Sequence, residues 1–286
     1  MKEKGLFVWY GYYNDYRKRI ELIKDAGFDG VMLWWEDETG DWPIDRFEMV
    51  RRANEAELTV FNIHMAGTDD NAIWSSDNYI REKHLIPICK TIEEIADLGY
   101  TNLVLHLCER GDVPDPALPL LHSIEALLPY AEDNHVTLSL ENTWRADYPE
   151  YVWQAFPGVK ELGFCFDTSH ANLKDQFYLL EKYGHLLSAL HISDNDGSAD
   201  QHRLPFDGAI DFSQRVLPFL KGKEVPFTME LFADTKVYPE EGAFLRLAYD
   251  RISRLAAETE ALEREAEEKK EETKERQRDF LFPFSF

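Results

Sequence analysis

Phe164-Cys165-Phe166-Asp167-Thr168-Ser169-His170 is the stretch from which the fold can be predicted. If residues 164–166 form a strand, Cys165 and Asp167 point to one face and the two phenylalanines point to the other. A buried carboxylate at the end of a strand is costly unless a cation compensates it. The stretch therefore predicts a metal ion or a cationic side chain at the carboxyl end of this strand.

Similar short apolar runs alternate with helical patterns along most of the chain. The predicted strands are Leu6–Tyr10, Gly30–Trp35, Thr59–Met65, Asn102–Cys108, Thr137–Asn142, Leu162–Asp167, Leu187–Ser193 and Pro226–Phe232. The predicted helices are Asp15–Ala26, Ile44–Ala56, Asp77–Leu98, Ala117–Asn134, Pro149–Phe156, Lys174–Tyr183 and Phe212–Leu220, with left-handed helix ends expected at Gly27, Gly99, Gly158 and Gly184.

Eight strands that alternate with helices predict an α/β fold with a parallel sheet. The number eight, and a length of about 250 residues before the tail, favour a closed (β/α)8 TIM barrel. A doubly wound open sheet is the alternative. No GxGxxG follows the first strand, which weakens that alternative, and no nucleotide cofactor is expected.

Alternation within the strands predicts which side chains face the barrel interior. In residues 102–108 three leucines alternate with Val104 and His106, and in residues 59–65 Phe61 and Ile63 alternate with His64. Each strand thus has a large apolar face for packing under helices and a small or polar face that ends in a ligand-type residue. This is the pattern of a barrel whose mouth binds something.

Composition limits the setting of this barrel. No run of about 18 apolar residues is present, which argues against a membrane span, and the amino terminus lacks the features of a signal peptide. The three cysteines are widely spaced without a CxxC, so disulfides are not expected. We therefore expect a cytoplasmic protein without membrane contact.

Most of the net negative charge of the chain lies in the predicted barrel. The net charge is −23, and residues 251–279 hold 8 bases and 10 acids, which leaves −21 for the remainder. Such a body repels a nucleic-acid backbone, so nucleic acid is an unlikely partner.

The carboxyl terminus differs from the rest of the chain. We expect residues 1–250 to form the barrel and residues 251–286 to form a charged helical extension with an apolar tail. An apolar helical stripe reaches Leu262, and almost every residue from 263 to 279 is charged. The extension is either a solvated helix or an arm that joins subunits into a homo-oligomer. Residues 280–286 are strongly apolar and would be buried on the barrel or on a neighbouring subunit.

Histidines and carboxylates recur at the predicted strand ends. They are His64, His106, Glu141, Asp167, His170, His191, Asp200, His202 and Glu230. Burying four carboxylates together without cations would cost more than the net stability of a domain. Oxygen and imidazole ligands without thiolate suit Mn, Mg, Co or Zn. A divalent metal site at the barrel mouth is therefore predicted.

The motifs around these residues resemble those of the xylose isomerase-like TIM barrels. They are Leu140-Glu141-Asn142-Thr143, Phe166-Asp167-Thr168-Ser169-His170-Ala171, His191-Ile192-Ser193-Asp194-Asn195-Asp196-Gly197, Asp200-Gln201-His202 and Met229-Glu230. This superfamily includes sugar isomerases and epimerases, enzymes of inositol catabolism and endonuclease IV. The motifs specify the superfamily better than any one reaction.

Two functions follow from the resemblance. In the ketose 3-epimerase branch, Glu141, Asp167, His191 and Glu230 would bind one metal ion, the two glutamates would act as the acid/base pair, and His170 would contact a substrate oxygen. The enzyme would then be a metal-dependent isomerase or epimerase of a sugar or sugar phosphate, acting by proton transfer next to a carbonyl. In the endonuclease IV branch, three zinc ions would be held by all nine residues, His64, His106, Asp200 and His202 included, for phosphodiester hydrolysis.

The loops after the first three predicted strands favour a sugar substrate over DNA. They carry no arginine or lysine to grip DNA phosphates, but they follow or contain Trp34, Trp35, Trp42 and Trp74, which suit stacking on a sugar ring. Candidate handles for a phosphate or carboxylate are Arg110, Arg145 and Arg203. Phe206 stands where the family often has glycine, and we expect it to narrow the mouth.

Overall fold

Eight parallel strands follow one another around a barrel in the computed structural model, which describes residues 1–67, 70–108 and 113–281, with side chains up to residue 274. The strands are β1 (Lys4–Phe7), β2 (Gly30–Trp34), β3 (Thr59–His64), β4 (Asn102–Leu105), β5 (Thr137–Glu141), β6 (Leu162–Asp167), β7 (Leu187–His191) and β8 (Phe227–Met229). Each pairs with the next, and β1 pairs with β8. A parallel bridge between Ile192 and Met229 brings β7 to β8, so the barrel is nearly closed. The predicted (β/α)8 TIM barrel is confirmed.

Helices connect the strands and form the outer layer. They are α1 (Tyr16–Ala26), α2 (Arg46–Glu55), α3 (Asn78–Asp97), α4 (Leu118–Asp133), α5 (Asp147–Ala155), α6 (Thr168–Lys174), α7 (Tyr178–Tyr183), α8 (Phe212–Arg215), α9 (Leu217–Leu220) and α10 (Glu241–Leu281). Within the described ranges, no helix combines the length and the apolar character needed to cross a bilayer.

The helix predicted at 174–183 is wrong at its start. The chain enters α6 directly after Asp167, because the Asp167 carboxylate caps that helix by accepting the N–H of His170. α6 ends at Asp175, whose backbone is left-handed, and α7 follows as a separate helix. Gly184 was also wrongly predicted to be left-handed, since its φ is −60°.

The barrel interior follows the predicted alternation. Val104, Cys165 and Ala189 form a small buried cluster of their own, whereas the leucines of β4 and the phenylalanines of β6 belong to the large core beneath the helices. β3 departs from the pattern, because its register against β2 shifts and leaves Phe61 between two paired residues. The Phe61 ring therefore lies against β1 and β2 beside Gly5 and Gly30.

The last helix continues without a break from the barrel into the charged segment. Ile252, Leu255 and Thr259 are buried and Leu262 is half-buried, so packing on the barrel continues beyond residue 250. From Arg264 to Lys274 the side chains are exposed, apart from the half-buried Ala266. Residues 282–286 of the apolar tail lie outside the described residues.

Candidate metal centre

The carboxyl ends of the strands bring together all nine of the predicted ligand-type residues. His64, Glu141, Asp167 and His191 are the last residues of β3, β5, β6 and β7, and Glu230 directly follows β8. His106 directly follows β4, His170 lies in the first turn of α6, and Asp200 and His202 lie in the loop from β7 to α8. Residues from the ends of six strands, from α6 and from one loop thus meet at one end of the barrel.

Four of these residues form a central group, which consists of Glu141, Asp167, His191 and Glu230. Each offers one donor atom, and these atoms lie within 4.8 Å of one another. The Nδ1 atom of His191 is 3.3 Å from Glu141 Oε2 and 3.0 Å from Glu230 Oε2. Two carboxylates therefore border the same space.

His64 and His106 flank the central group on one side. His64 Nε2 is 3.3 Å from Glu141 Oε2, and His106 Nε2 is 3.2 Å from the same oxygen. The two Nε2 atoms are 3.2 Å apart. The Oε2 atom of Glu141 is therefore close to three imidazoles, those of His64, His106 and His191.

A second flanking group consists of His170, Asp200 and His202. The Nε2 atom of His170 is 3.2 Å from Asp200 Oδ2, and His202 Nε2 is 3.2 Å from Asp200 Oδ1. His170 Nδ1 lies 3.2 Å from Glu141 Oε1. The three residues place donor atoms within 4.8 Å of one another, and His170 joins them to the central group.

The pKa values of the histidines and carboxylates in this site are shifted by burial and by the charges of their neighbours. Burial lowers the pKa of His106, but Glu141 and Asp70 outweigh it and raise that pKa to about 10. Burial raises the pKa of Glu230, but His191 outweighs it and the result is about 2. Burial dominates at Asp167 and raises its pKa to about 6. Protonated imidazoles therefore balance the carboxylates when no metal is bound.

The site has the donors that a divalent cation requires. Among the described residues, the buried Oδ2 atom of Asp167 makes no hydrogen bond, and the ring nitrogens of His191 make no well-directed one, although Nδ1 lies close to two carboxylates. Buried polar atoms are seldom left unsatisfied. Oxygen and nitrogen donors without thiolate suit Mn, Mg, Co or Zn. The central group therefore fits a divalent metal ion.

Three supporting residues were not identified from the sequence. Asp70 is buried, and its Oδ2 atom lies 3.3 Å from His106 Nδ1. Asn142 donates to the carbonyl of Asp167 at 3.0 Å and accepts from its N–H at 2.8 Å. Asp194 accepts four backbone N–H bonds in the loop from β7 to α8. Asn142 and Asp194 both lie within the quoted family motifs, whereas Asp70 lies outside them.

The four tryptophans have different positions. Trp34 stacks on His64 with ring centroids 4.8 Å apart, so it forms part of the mouth wall. Trp35 is buried, and its Nε1 atom donates to Glu94 of α3. Trp42 packs against Tyr13, and Trp74 against Tyr148. Of the four, Trp34 touches the nine-residue cluster directly.

Two of the arginines predicted to bind a phosphate or carboxylate of the substrate form ion pairs with carboxylates of the protein instead. Arg145 forms ion pairs with Asp115 and Asp147, and Arg203 forms one with Asp196 at 2.9 Å. Arg110 lies outside the described residues.

The expectation that Phe206 narrows the mouth is wrong. Its ring packs against Phe212, with centroids 5.7 Å apart, and lies under the guanidinium of Arg254 at 4.1 Å. Phe206 has a φ of 73°, and this left-handed backbone turns the ring outward, towards α8 and α10.

Comparisons with known proteins agree with this architecture. A family model described as xylose isomerase-like TIM barrel matches residues 20–248. The uncharacterised protein y4fM of Sinorhizobium fredii is 26% identical over 235 residues, which cover 68% of this chain and 74% of that protein.

Solved structures share the fold at lower identity. An L-ribulose 3-epimerase has a TM-score of 0.71 and 19% identity, with 93% of this chain and 97% of that chain covered. D-Psicose 3-epimerase from Clostridium cellulolyticum H10, solved with D-tagatose, has a TM-score of 0.70 and 17% identity, with 91% and 99% covered. At these identities the likeness shows the fold alone.

Proposed function

Because the chain belongs to the xylose isomerase-like TIM barrel family, we propose that it is a metal-dependent sugar isomerase or epimerase. The observation that carries the proposal is the central group, in which Glu141 and Glu230 approach the same ring nitrogen of His191. A metal ion and two carboxylates at one position are what proton transfer next to a carbonyl requires. The epimerases that share the fold support this choice.

Each residue then has a defined task. Glu141, Asp167, His191 and Glu230 would hold the ion, which would polarise the carbonyl and the neighbouring hydroxyl of the sugar and lower the cost of the enediolate. The low pKa of Glu230 keeps its carboxylate ionised at neutral pH, so Glu230 can accept the proton from carbon. Delivery of a proton to the opposite face from Glu141, which would enter this step protonated, would invert that carbon, and proton exchange with solvent would then return both glutamates to their starting states. His170 would donate a hydrogen bond to a substrate oxygen.

The described mouth favours a sugar without a phosphate. Arg145 and Arg203 are both ion-paired, so a phosphate would have to displace Asp115 and Asp147, or Asp196. Trp34 offers an aromatic face beside His64 instead. We therefore propose a neutral sugar as the substrate.

Glu230→Gln tests the proton transfer. We expect this variant to lose proton exchange between a ketose substrate and heavy water, because an amide cannot accept the proton, while some metal stays bound through Glu141, Asp167 and His191. Exchange is followed by proton NMR, and bound metal by elemental analysis. Glu150→Gln is the matched control, since Glu150 pairs with Lys182 away from the mouth. Undiminished exchange in Glu230→Gln would remove Glu230 from this role.

A second function, phosphodiester hydrolysis by three zinc ions, is favoured by the two flanking groups. His170, Asp200 and His202 have the spacing of a metal site of their own, and so do His64, Glu141 and His191. Metal stoichiometry separates the two functions. About one ion per chain supports the epimerase, whereas three zinc ions per chain would support the hydrolase and contradict our first choice.

A further inference from the structure

The loop from β7 to α8 is organised by the buried carboxylate of Asp194. Its Oδ1 atom accepts hydrogen bonds from the N–H groups of Asn195 at 2.8 Å and Ile210 at 3.1 Å. Its Oδ2 atom accepts from the N–H groups of Phe206 and Gly208, each at 3.0 Å. The Asp194 side chain therefore binds backbone N–H groups up to 16 residues further along the chain.

The negative charge of Asp194 is stabilised by backbone N–H groups and not by a cationic side chain. Among the described residues, no lysine, arginine or histidine forms an ion pair with it. Burial raises the pKa of this carboxyl, while the four N–H groups oppose that effect. Donors that converge on both oxygens require a carboxylate, because an amide would turn one acceptor into a donor.

The loop needs this support, because its backbone is strained at two positions. His202 has a φ of 45° and Phe206 a φ of 73°. A left-handed backbone costs about 1–2 kcal/mol for a residue with a side chain. Gly208 must lack a side chain for a different reason, because a Cβ there would lie 2.2 Å from Asp194 Oδ1.

The same loop carries Asp200 and His202 into the site. Asp200 Oδ2 is 3.2 Å from His170 Nε2, and His170 Nδ1 is 3.2 Å from Glu141 Oε1. A displacement of the loop would therefore move Asp200 and release His170 from its orientation towards Glu141.

We propose that Asp194 is a positioning residue, which holds the strained loop so that Asp200 and His202 meet His170 at the barrel mouth. The proposal rests on the proposed function in one respect only, the substrate contact assigned to His170. Asp194 touches none of the four residues of the central group through the hydrogen bonds described above, so it acts through the loop.

The test is Asp194→Asn, observed through the ring-carbon NMR signals of the histidines in the full chain without metal. The amide puts a donor in front of two N–H groups, so we expect the signals of His170 and His202 to shift or broaden while that of His64 stays in place. The matched control is Asp211→Asn, which removes the same charge next to Ile210 but leaves the cap of α8 intact. This control should leave every histidine signal in place.

A second substitution tests whether Asp194 acts by holding the strained loop in place. Phe206→Gly removes the left-handed strain, so in the double variant with Asp194→Asn the His170 and His202 signals should return towards their original positions. If Asp194→Asn does not fold, Gly208→Ala disturbs the same contact and should shift the same two signals.

Two results would overturn the proposal. One is unchanged His170 and His202 signals in folded Asp194→Asn, and the other is an equal displacement of all histidine signals in a variant that is still folded, which would show that the effect is not confined to this loop. Because the sample contains neither metal nor sugar, the result is independent of whether the protein is an epimerase.

Discussion

Asp167 uses its two carboxylate oxygens for different purposes. Oδ1 accepts the N–H of His170 at 2.7 Å and so begins α6, which carries His170 into the site. Oδ2 is buried without a hydrogen bond among the described residues, and Asp167 belongs to the central group. A substitution at Asp167 would therefore disturb both the start of a helix and a proposed metal ligand. Neighbouring residues give cleaner tests.

Asn142 is one such residue, because it holds the peptide of Asp167 by both its N–H and its C=O. We expect Asn142→Ala to weaken divalent metal binding about 10- to 100-fold, as is typical when a residue that orients a ligand is lost. Competition with a fluorescent chelator measures the affinity. Asn134→Ala, before the opposite end of β5, is the control and should have no effect. An unchanged affinity in Asn142→Ala would show that Asp167 does not depend on this contact.

Metal binding should also release protons. Burial lowers the pKa of His191, but the neighbouring Cys165, Glu141 and Glu230 outweigh that effect and raise the pKa well above its ordinary value, which favours a protonated imidazole without metal. A metal ion needs the neutral nitrogen, so we expect affinity to rise with pH and about one proton or more to leave per ion. Calorimetry in buffers of different ionisation enthalpy measures this number. An enthalpy that does not depend on the buffer would contradict the prediction.

At the scale of elements, the shift between β2 and β3 decides how the barrel interior is filled. It turns Phe61 towards Gly30, where a Cβ would lie 2.3 Å from the Thr59 carbonyl oxygen and 2.5 Å from the Phe61 ring. The absence of a side chain at residue 30 is therefore what admits the ring.

We expect Gly30→Ala to lower the free energy of unfolding by about 1–3 kcal/mol, because the new methyl group has no space. Denaturant unfolding measures the change. Gly184→Ala is the control, since a Cβ there meets nothing within 4 Å and the φ of −60° suits alanine. That variant should be as stable as the parent or gain up to about 1 kcal/mol. Equal stability of Gly30→Ala and the parent would be evidence against the close packing at this position.

At the scale of the whole molecule, α10 joins a packed part to an exposed charged part. Glu263 still contacts the barrel, through Lys2 at 2.9 Å and the N–H of Gly222 at 2.8 Å. Beyond it the described side chains are exposed, except for that of Ala266. Residues 265–286 therefore form the segment whose role is to be tested.

We expect deletion of residues 265–286 to change the melting temperature by no more than about 2 °C, because the described side chains of this segment, those of residues 265–274, are exposed apart from Ala266 and exposed side chains contribute little to stability. Light scattering on the full and shortened chains tests whether this segment joins subunits. A fall in mass per particle on deletion would support an oligomerisation arm, and an unchanged mass would favour a solvated helix. A large loss of stability would show that the segment packs on the barrel.

Alternation between apolar and polar residues is a local property, so the sequence alone determined much of this protein. It predicted eight strands and the bounds of β6, and it placed His64, Glu141, Asp167 and His191 at strand ends facing the interior. The same reading of strand ends and the loops just after them included Asp200, His202 and Glu230. These predictions depend on residues close together in the chain.

Only the tertiary structure decided the features that depend on distant residues. The shift at Phe61 depends on glycines in two other strands, and the outward turn of Phe206 depends on a carboxylate 12 residues away. The engagement of Arg145 and Arg203 by aspartates likewise follows from how the loops fold back. The physical reason is that a loop path is set by the partners its backbone and charges find, and spacing along the sequence does not specify those partners.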